Sequence, residues 1–329
     1  MTGCDDGTWC TRVTYYGFVV VGFHGCNHPY VAYGSIDDGR RMRTSTSTCY
    51  LTAIAVVLAG CAGGSSGGDA ASDDPGPVHV HGVAPDPNDR DAVVVATHTG
   101  LFRIVDGVAE RVGDGYHDLM GFTVGDDGTF YASGHPDLQS DHLRTDEGDP
   151  HLGLIRSTDG GHSWESVSLL GEVDFHALTI AGSTIVGGDA TTGRFLASDD
   201  GGDTWDERGS VDLVSLAADR DDAQRLLGST PDGLVRSDDG GRRWQSLGDI
   251  IPGFVAADDE GFVVARSDAT VAHSTDLTTW TDRGRLPGTP AALDASEGRL
   301  LAAVDGHGIF TSADRGETWT VVYRDPAAR

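Results

Sequence analysis

Five of the six tryptophans in this 329-residue chain close the same short phrase, repeated down its C-terminal half. Three copies are closely alike: Ser157-Thr158-Asp159-Gly160-Gly161-His162-Ser163-Trp164, Ser198-Asp199-Asp200-Gly201-Gly202-Asp203-Thr204-Trp205 and Ser237-Asp238-Asp239-Gly240-Gly241-Arg242-Arg243-Trp244. A fourth, Ser274 to Trp280, is shorter and has lost its glycines, and a fifth, Ser312 to Trp319, is complete. The starting positions differ by 41, 39, 37 and 38 residues. A period near forty with one aromatic anchor per copy predicts a radially repeated β-sheet protein.

Each copy follows an apolar run, such as Arg194-Phe-Leu-Ala197, and precedes a short alternating one. That order reads as strand, turn, strand. The Asp accepts hydrogen bonds from turn N–H groups, Gly supplies positive φ, and the Trp packs between neighbouring sheets. The phrase resembles the Asp box of bacterial sialidases, sortilin-type receptors and related propellers, normally S-x-D-x-G-x-T-W. In that group the box is a structural turn on the face opposite the ligand, which removes its Asp residues from the candidate site.

Acidic residues outnumber basic ones 51 to 23, for a net charge of -28, and every basic residue is Arg. Such an excess excludes nucleic acid and anionic membrane surfaces as partners and suits a solvated, self-repelling surface. All five cysteines lie in the first 61 residues, so the repeat region has no disulfide and no thiolate site. Leu51 to Leu58 is an apolar run behind Met42-Arg43, ending in Leu58-Ala59-Gly60-Cys61. It is too short to span a bilayer stably. It resembles a lipoprotein signal with its lipobox, which implies lipidation of Cys61, membrane attachment through that lipid alone, and an extracytoplasmic location in the cell envelope. Ordinary secretion is the alternative. Residues 62–77 read as a flexible tether. Residues 1–41 read as an extension upstream of a true start at Met42, or else as a cytoplasmic extension, and receive no structural assignment.

The 246 residues from Val78 to Tyr323 divide into six units of about forty. The predicted fold is an all-β propeller over 78–325 with six four-stranded blades, seven being the alternative. Blade one begins at Val78 and lacks the repeated phrase. Blade two begins near Gly121 and carries an 18-residue insertion, Gly134 to His151. Blades three to six begin near Phe175, Leu213, Phe254 and Ala291. Connections between strands two and three, and between successive blades, share one face; the repeated turns occupy the other.

This sorts the eleven histidines of the propeller region. His162 and His273 fall on the turn face, and the remaining nine on the opposite face or the inner strands. His79 and His81, two apart, should point to one side of a strand. With His98, His135 and His176 they form a candidate site for a divalent transition metal. His98, His117, Asp118 and Arg103 are candidates for binding a small-molecule or glycan ligand. A histidine in such loops also commonly does no more than hydrogen-bond backbone.

Further segments, among them His79-Val-His-Gly82, Ala96-Thr-His-Thr-Gly-Leu-Phe102 and Gly171-Glu-Val-Asp-Phe-His-Ala-Leu178, resemble a bacterial family of Asp-box lipoproteins labelled glycosylhydrolases or sialidase-like. The resemblance covers residues 78–325 and implies glycoside hydrolysis. Phe102-Arg103-Ile104 echoes the sialidase Phe-Arg-Ile-Pro motif, with Val105 in place of proline. Sialidase chemistry also requires an arginine triad and a Tyr–Glu pair, and only Tyr116 falls on the ligand face. A general glycosidase needs two carboxylates about 5 to 10 Å apart, for which Glu172, Asp174 and Asp137 are the candidates. Three functions follow from the sequence: a His-lined mouth binding a metal or other ligand, a glycoside hydrolase, and an envelope assembly scaffold docking a protein partner.

Overall fold

The computed structural model describes residues 10–15, 18–23, 74–145, 150–248, 250–296 and 298–326. The chain divides into two compact units, Met1–Asp69 and Ala70–Arg329. In the first, Cys10–Tyr15 pairs antiparallel with Phe18–Phe23, a hairpin in a region given no structure from sequence. Cys61 and the apolar run before it lie outside the described residues, as does most of the tether. No helix among the described residues is long and apolar enough to cross a membrane.

The second unit is a β-propeller of six four-stranded antiparallel sheets. The innermost strands are Val80–Asp86, Asp118–Val124, Phe175–Ala181, Ser215–Ala218, Gly253–Asp258 and Pro290–Ser296. Each therefore starts within three residues of its predicted position, and six blades is the observed number. The insertion in blade two holds the one helical turn among the described residues, Asp141–Leu143. It packs down beside its own blade, with Leu143 fully buried in the core between blades one and two.

The repeated turns share one hydrogen-bond scheme. Ser198 Oγ donates to Asp200 Oδ1 at 2.8 Å and accepts from Gly202 N at 2.8 Å, while Thr204 N and Oγ1 donate to the same carboxylate. The second glycine is the constraint. A methyl group at Gly161, Gly202, Gly241 or Gly316 would lie 2.1, 2.2, 1.9 or 2.6 Å from Leu101, Leu154, Phe195 or Val271 respectively. Each of those residues sits on the third strand of the preceding blade. The turn thus presses bare backbone against its neighbour, and the Trp that closes it joins the same inter-blade core. The shortened copy reaches this end differently. Leu277 takes positive φ (59°) and inserts its own side chain beside Leu234 of blade four.

All four strands of each blade come from one continuous stretch, so no strand is exchanged to close the ring. Blades six and one meet through Val83, Val95, Phe102 and Ile104 against Ala292, Leu301, Ala303 and Ile309, with Tyr323 of blade six packed beside them and no tryptophan in that cluster. A cleft of about 730 Å³ opens at this seam, lined by Val95, Ile104, Ala303 and Tyr323. A central channel of about 900 Å³ runs along the inner strands, from His81 and His176 to Arg220 and Asp294. At the turn-face end the Arg220 guanidinium donates to the carbonyls of Ala257 and Ala295, tying blade four to blades five and six. Burial pushes the nearby Asp294 carboxyl up to about 6.

Gly241→Ala combines backbone strain with a clash against the Phe195 ring, whereas Gly240→Ala meets only the ends of the Arg208 and Gln224 side chains. The expected loss is about 2 kcal/mol or more for Gly241→Ala and about 1 kcal/mol for Gly240→Ala. Urea unfolding midpoints measure both, and equal losses would remove the close approach as the organising contact.

Candidate functional site

Backbone irregularities place the first histidines. The inner strands of blades one, two and three each shift register near their start, between Val80 and Gly82, Leu119 and Gly121, and Phe175 and Ala177. The residues in the shifts are His81, Met120 and His176, and all three line the channel. A bulge re-aims a side chain that regular pleating would send elsewhere. His98 comes from the next connection of blade one; its N–H bonds back to Val78 and His79, which fixes that turn against the incoming chain. Arg111 anchors the chain from outside, pairing with Asp74 at 2.6 Å and stacking 3.8 Å over the Tyr116 ring.

Blade two supplies the centre. Asp118 and His135 are directly opposed across its first two strands, the arrangement in which side chains meet. Gly134 makes this possible, because a Cβ there would fall 2.1 Å from Asp118 O. The insertion returns at His151, whose carbonyl accepts Gly171 N, while Gly153 N donates to Val173 O. These bonds bring His151 beside Asp174, which is itself set by Phe175 N on Ser133 Oγ.

Two trios of donor atoms result: His81, His98 and Asp118; and His135, His151 and Asp174. Asp118 Oδ2 lies 2.8 Å from His98 Nδ1 and 3.3 Å from His135 Nδ1. Asp174 Oδ2 lies 3.5 Å from His135 Nε2 and 3.0 Å from His176 Nε2. The His135 ring therefore stands between two carboxylates. Two further pairs lie at ion-pair distance without hydrogen-bond geometry: His81 Nε2 is 3.4 Å from Asp118 Oδ1, and His151 Nδ1 is 4.0 Å from Asp174 Oδ2. Four buried atoms of this cluster have no hydrogen-bond partner among the described residues, namely His81 Nε2, Asp118 Oδ1, His151 Nδ1 and Asp174 Oδ1. Burying polar atoms unsatisfied costs about 1–3 kcal/mol each, which calls for an account of them.

Burial alone would raise the Asp118 and Asp174 carboxyls. Hydrogen bonding and charge from the surrounding imidazoles, His135 first, outweigh it and hold both well below the usual carboxylate range. Hydrogen bonds to Asp118 and then Asp174 push His135 up to about 10.

Of the residues singled out in the sequence, His81, His98, Asp118, His135, Asp174 and His176 are brought together. The others are not. His79 precedes the strand with φ 50°, so it does not share a strand face with His81; it is exposed, and its ring meets the His98 ring edge-on, centroids 6.2 Å apart. His117 is buried and accepts Asp137 N at 3.1 Å, and burial pulls its imidazole down. Asp137 is occupied by the backbone N–H groups of Tyr116, Gln139 and Ser140, as a loop anchor. Arg103 pairs with Asp86 and Asp89 at the strand one–strand two hairpin, which lies on the repeated-turn face, away from the mouth. Glu172 is exposed in the loop before Asp174. His151, which the sequence sorts to this face but not among the metal candidates, also joins the cluster. Its only signal was its position at the return of the insertion.

No protein-family model matches the chain, and no curated protein matches it in sequence. Among solved structures, it is similar to a GH74 enzyme of Niastella koreensis (16% identity over 74% of this chain and 45% of that one, TM-score 0.54). It is likewise similar to a GH74 xyloglucanase of Xanthomonas campestris (17% identity, 74% and 45%, TM-score 0.51). A putative gluconolactonase matches at 19% identity over 72% of this chain and 88% of that one, with a TM-score of 0.57. The chain spans under half the length of the two GH74 enzymes. At these identities the likeness defines the fold class, a β-propeller shared with several enzymes, and carries no activity across.

In chelator-treated protein, the His135 ring should stay protonated through neutral pH and titrate only toward about 10. The linkage sign follows: its contribution to stability is fully present below the unfolded histidine value of about 6.5 and is lost as pH rises through the folded value. The contributions of Asp118 and Asp174 are present above about pH 4 and are lost as pH falls. Ring-proton shifts read by NMR test this, and a His135 titrating near 6.5 would contradict the clamp between two carboxylates.

Proposed function

We propose that this protein is an extracytoplasmic propeller, tethered through a lipid on Cys61, that binds a divalent transition metal at the mouth of its channel. The observation that carries the reading is the set of four buried, unpartnered donor atoms, two in each trio. Imidazole and carboxylate oxygen together suit zinc, copper, nickel or iron better than calcium or magnesium, which take oxygen ligands. His81, His98, Asp118, His135, His151 and Asp174 are the ligand candidates, with His176 at the edge. Both carboxylates are already ionised, so the protons that must leave belong to the histidines, and affinity should weaken as pH falls.

Elemental analysis of tag-free protein tests this directly. Bound metal that a chelator removes, reduced in amount in His81→Ala, is the expected result. Protein that remains metal-free after incubation with zinc or copper and desalting would return the histidines to a structural role. Calorimetry in two buffers of different ionisation enthalpy should show net proton release on binding.

Glycoside hydrolysis is the second reading, and it rests on the family resemblance. The mouth supports it less well. Asp174 is held anionic between imidazoles, which suits a base or nucleophile and not a proton donor, and Asp137 is engaged by the loop. An envelope scaffold docking a protein on its rim would retain function after both the His and the carboxylate sets are replaced.

A further inference from the structure

The metal reading leaves open how many ions the mouth holds, and the geometry of one residue bears on that. His135 Nδ1 faces Asp118 Oδ2 at 3.3 Å, and its Nε2 faces Asp174 Oδ2 at 3.5 Å. The ring thus presents one nitrogen to each trio. The unpartnered atoms divide the same way: one imidazole nitrogen and one carboxylate oxygen on the His81 side, and one of each on the His151 side. A single ion would satisfy one pair and strand the other.

We propose that the mouth is a two-cation site in which His135 bridges the ions as an imidazolate. Nδ1 joins the position formed by His81, His98 and Asp118, and Nε2 joins the position formed by His151, Asp174 and His176. This rests on the metal reading above and specifies its stoichiometry. With metal–nitrogen bonds of about 2 Å, the ions would sit about 6 Å apart across the ring. The proton balance is explicit. His135 carries a proton on each nitrogen in the metal-free protein; the first cation displaces one proton and the second displaces the other, both going to solvent. No electron is transferred. Blades one, two and three each contribute, so the site exists only when three consecutive blades are assembled.

The test is titration of the chelator-treated full chain with Cu(II), followed by bound-metal analysis and electron paramagnetic resonance. Two bound ions are expected. The signal should grow with the first equivalent and fall with the second, because an imidazolate couples the two spins antiferromagnetically. His98→Ala and His151→Ala should each retain one ion with an uncoupled signal, and the retained ion also reports that the variant is folded. His135→Gln should lose the coupling. Two ions with additive, uncoupled signals in the wild-type chain would overturn the bridge. One ion would overturn the two-cation site while leaving the metal reading intact. No bound copper, together with no bound zinc, would overturn both.

Discussion

Everything in the propeller depends on how closely one blade can approach the next. In four blades that approach is made by a glycine without a side chain, pressed against the third strand of the preceding sheet. The neighbouring Ser and Asp hold the turn in the shape that presents it, and the Trp fills the remaining space. Removing the side chain at the contact and supplying a large one beside it are two parts of one solution to close packing. These outer contacts act together with direct packing between neighbouring inner strands, and the site is built on three of those inner strands.

This contact is also why the fold was legible. A turn that must recur once per blade with the same hydrogen bonds leaves a periodic trace, and the spacing of Ser157, Ser198, Ser237, Ser274 and Ser312 located the blades to within three residues. Even the degenerate copy obeys the constraint, since Leu277 brings its own apolar side chain where glycine would have left room for a neighbour's. Placement on a face was legible for the same reason. Side-chain direction was not. His79 and His81 looked like a strand pair, yet a positive φ and a bulge separate them. His81 and His176 gain their common aim from register shifts, which carry no clear signature in residue type. His151 depends on the path of an insertion, and Arg103 on which of several nearby acids captured it.

The mouth shows what unlike charges achieve in a confined place. Two carboxylates and five imidazoles gather where three blades meet. One imidazole, that of His135, lies between the carboxylates, and the unpartnered polar atoms are on either side of it. A proton held in this way is bound tightly, because two anions stabilise the charged ring. It offsets the repulsion between the two anions.

The seam sets blade one apart from the other five. Five junctions between blades carry a tryptophan, while the junction of blades six and one carries Tyr323 and an open cleft. The ring is therefore uniform around most of its circumference and filled differently at one junction. Asp118 and Asp174 come with blades two and three, whereas His81 and His98 belong to blade one, and the blade that supplies those two imidazoles to the mouth also walls the cleft with Val80, Val95 and Ile104.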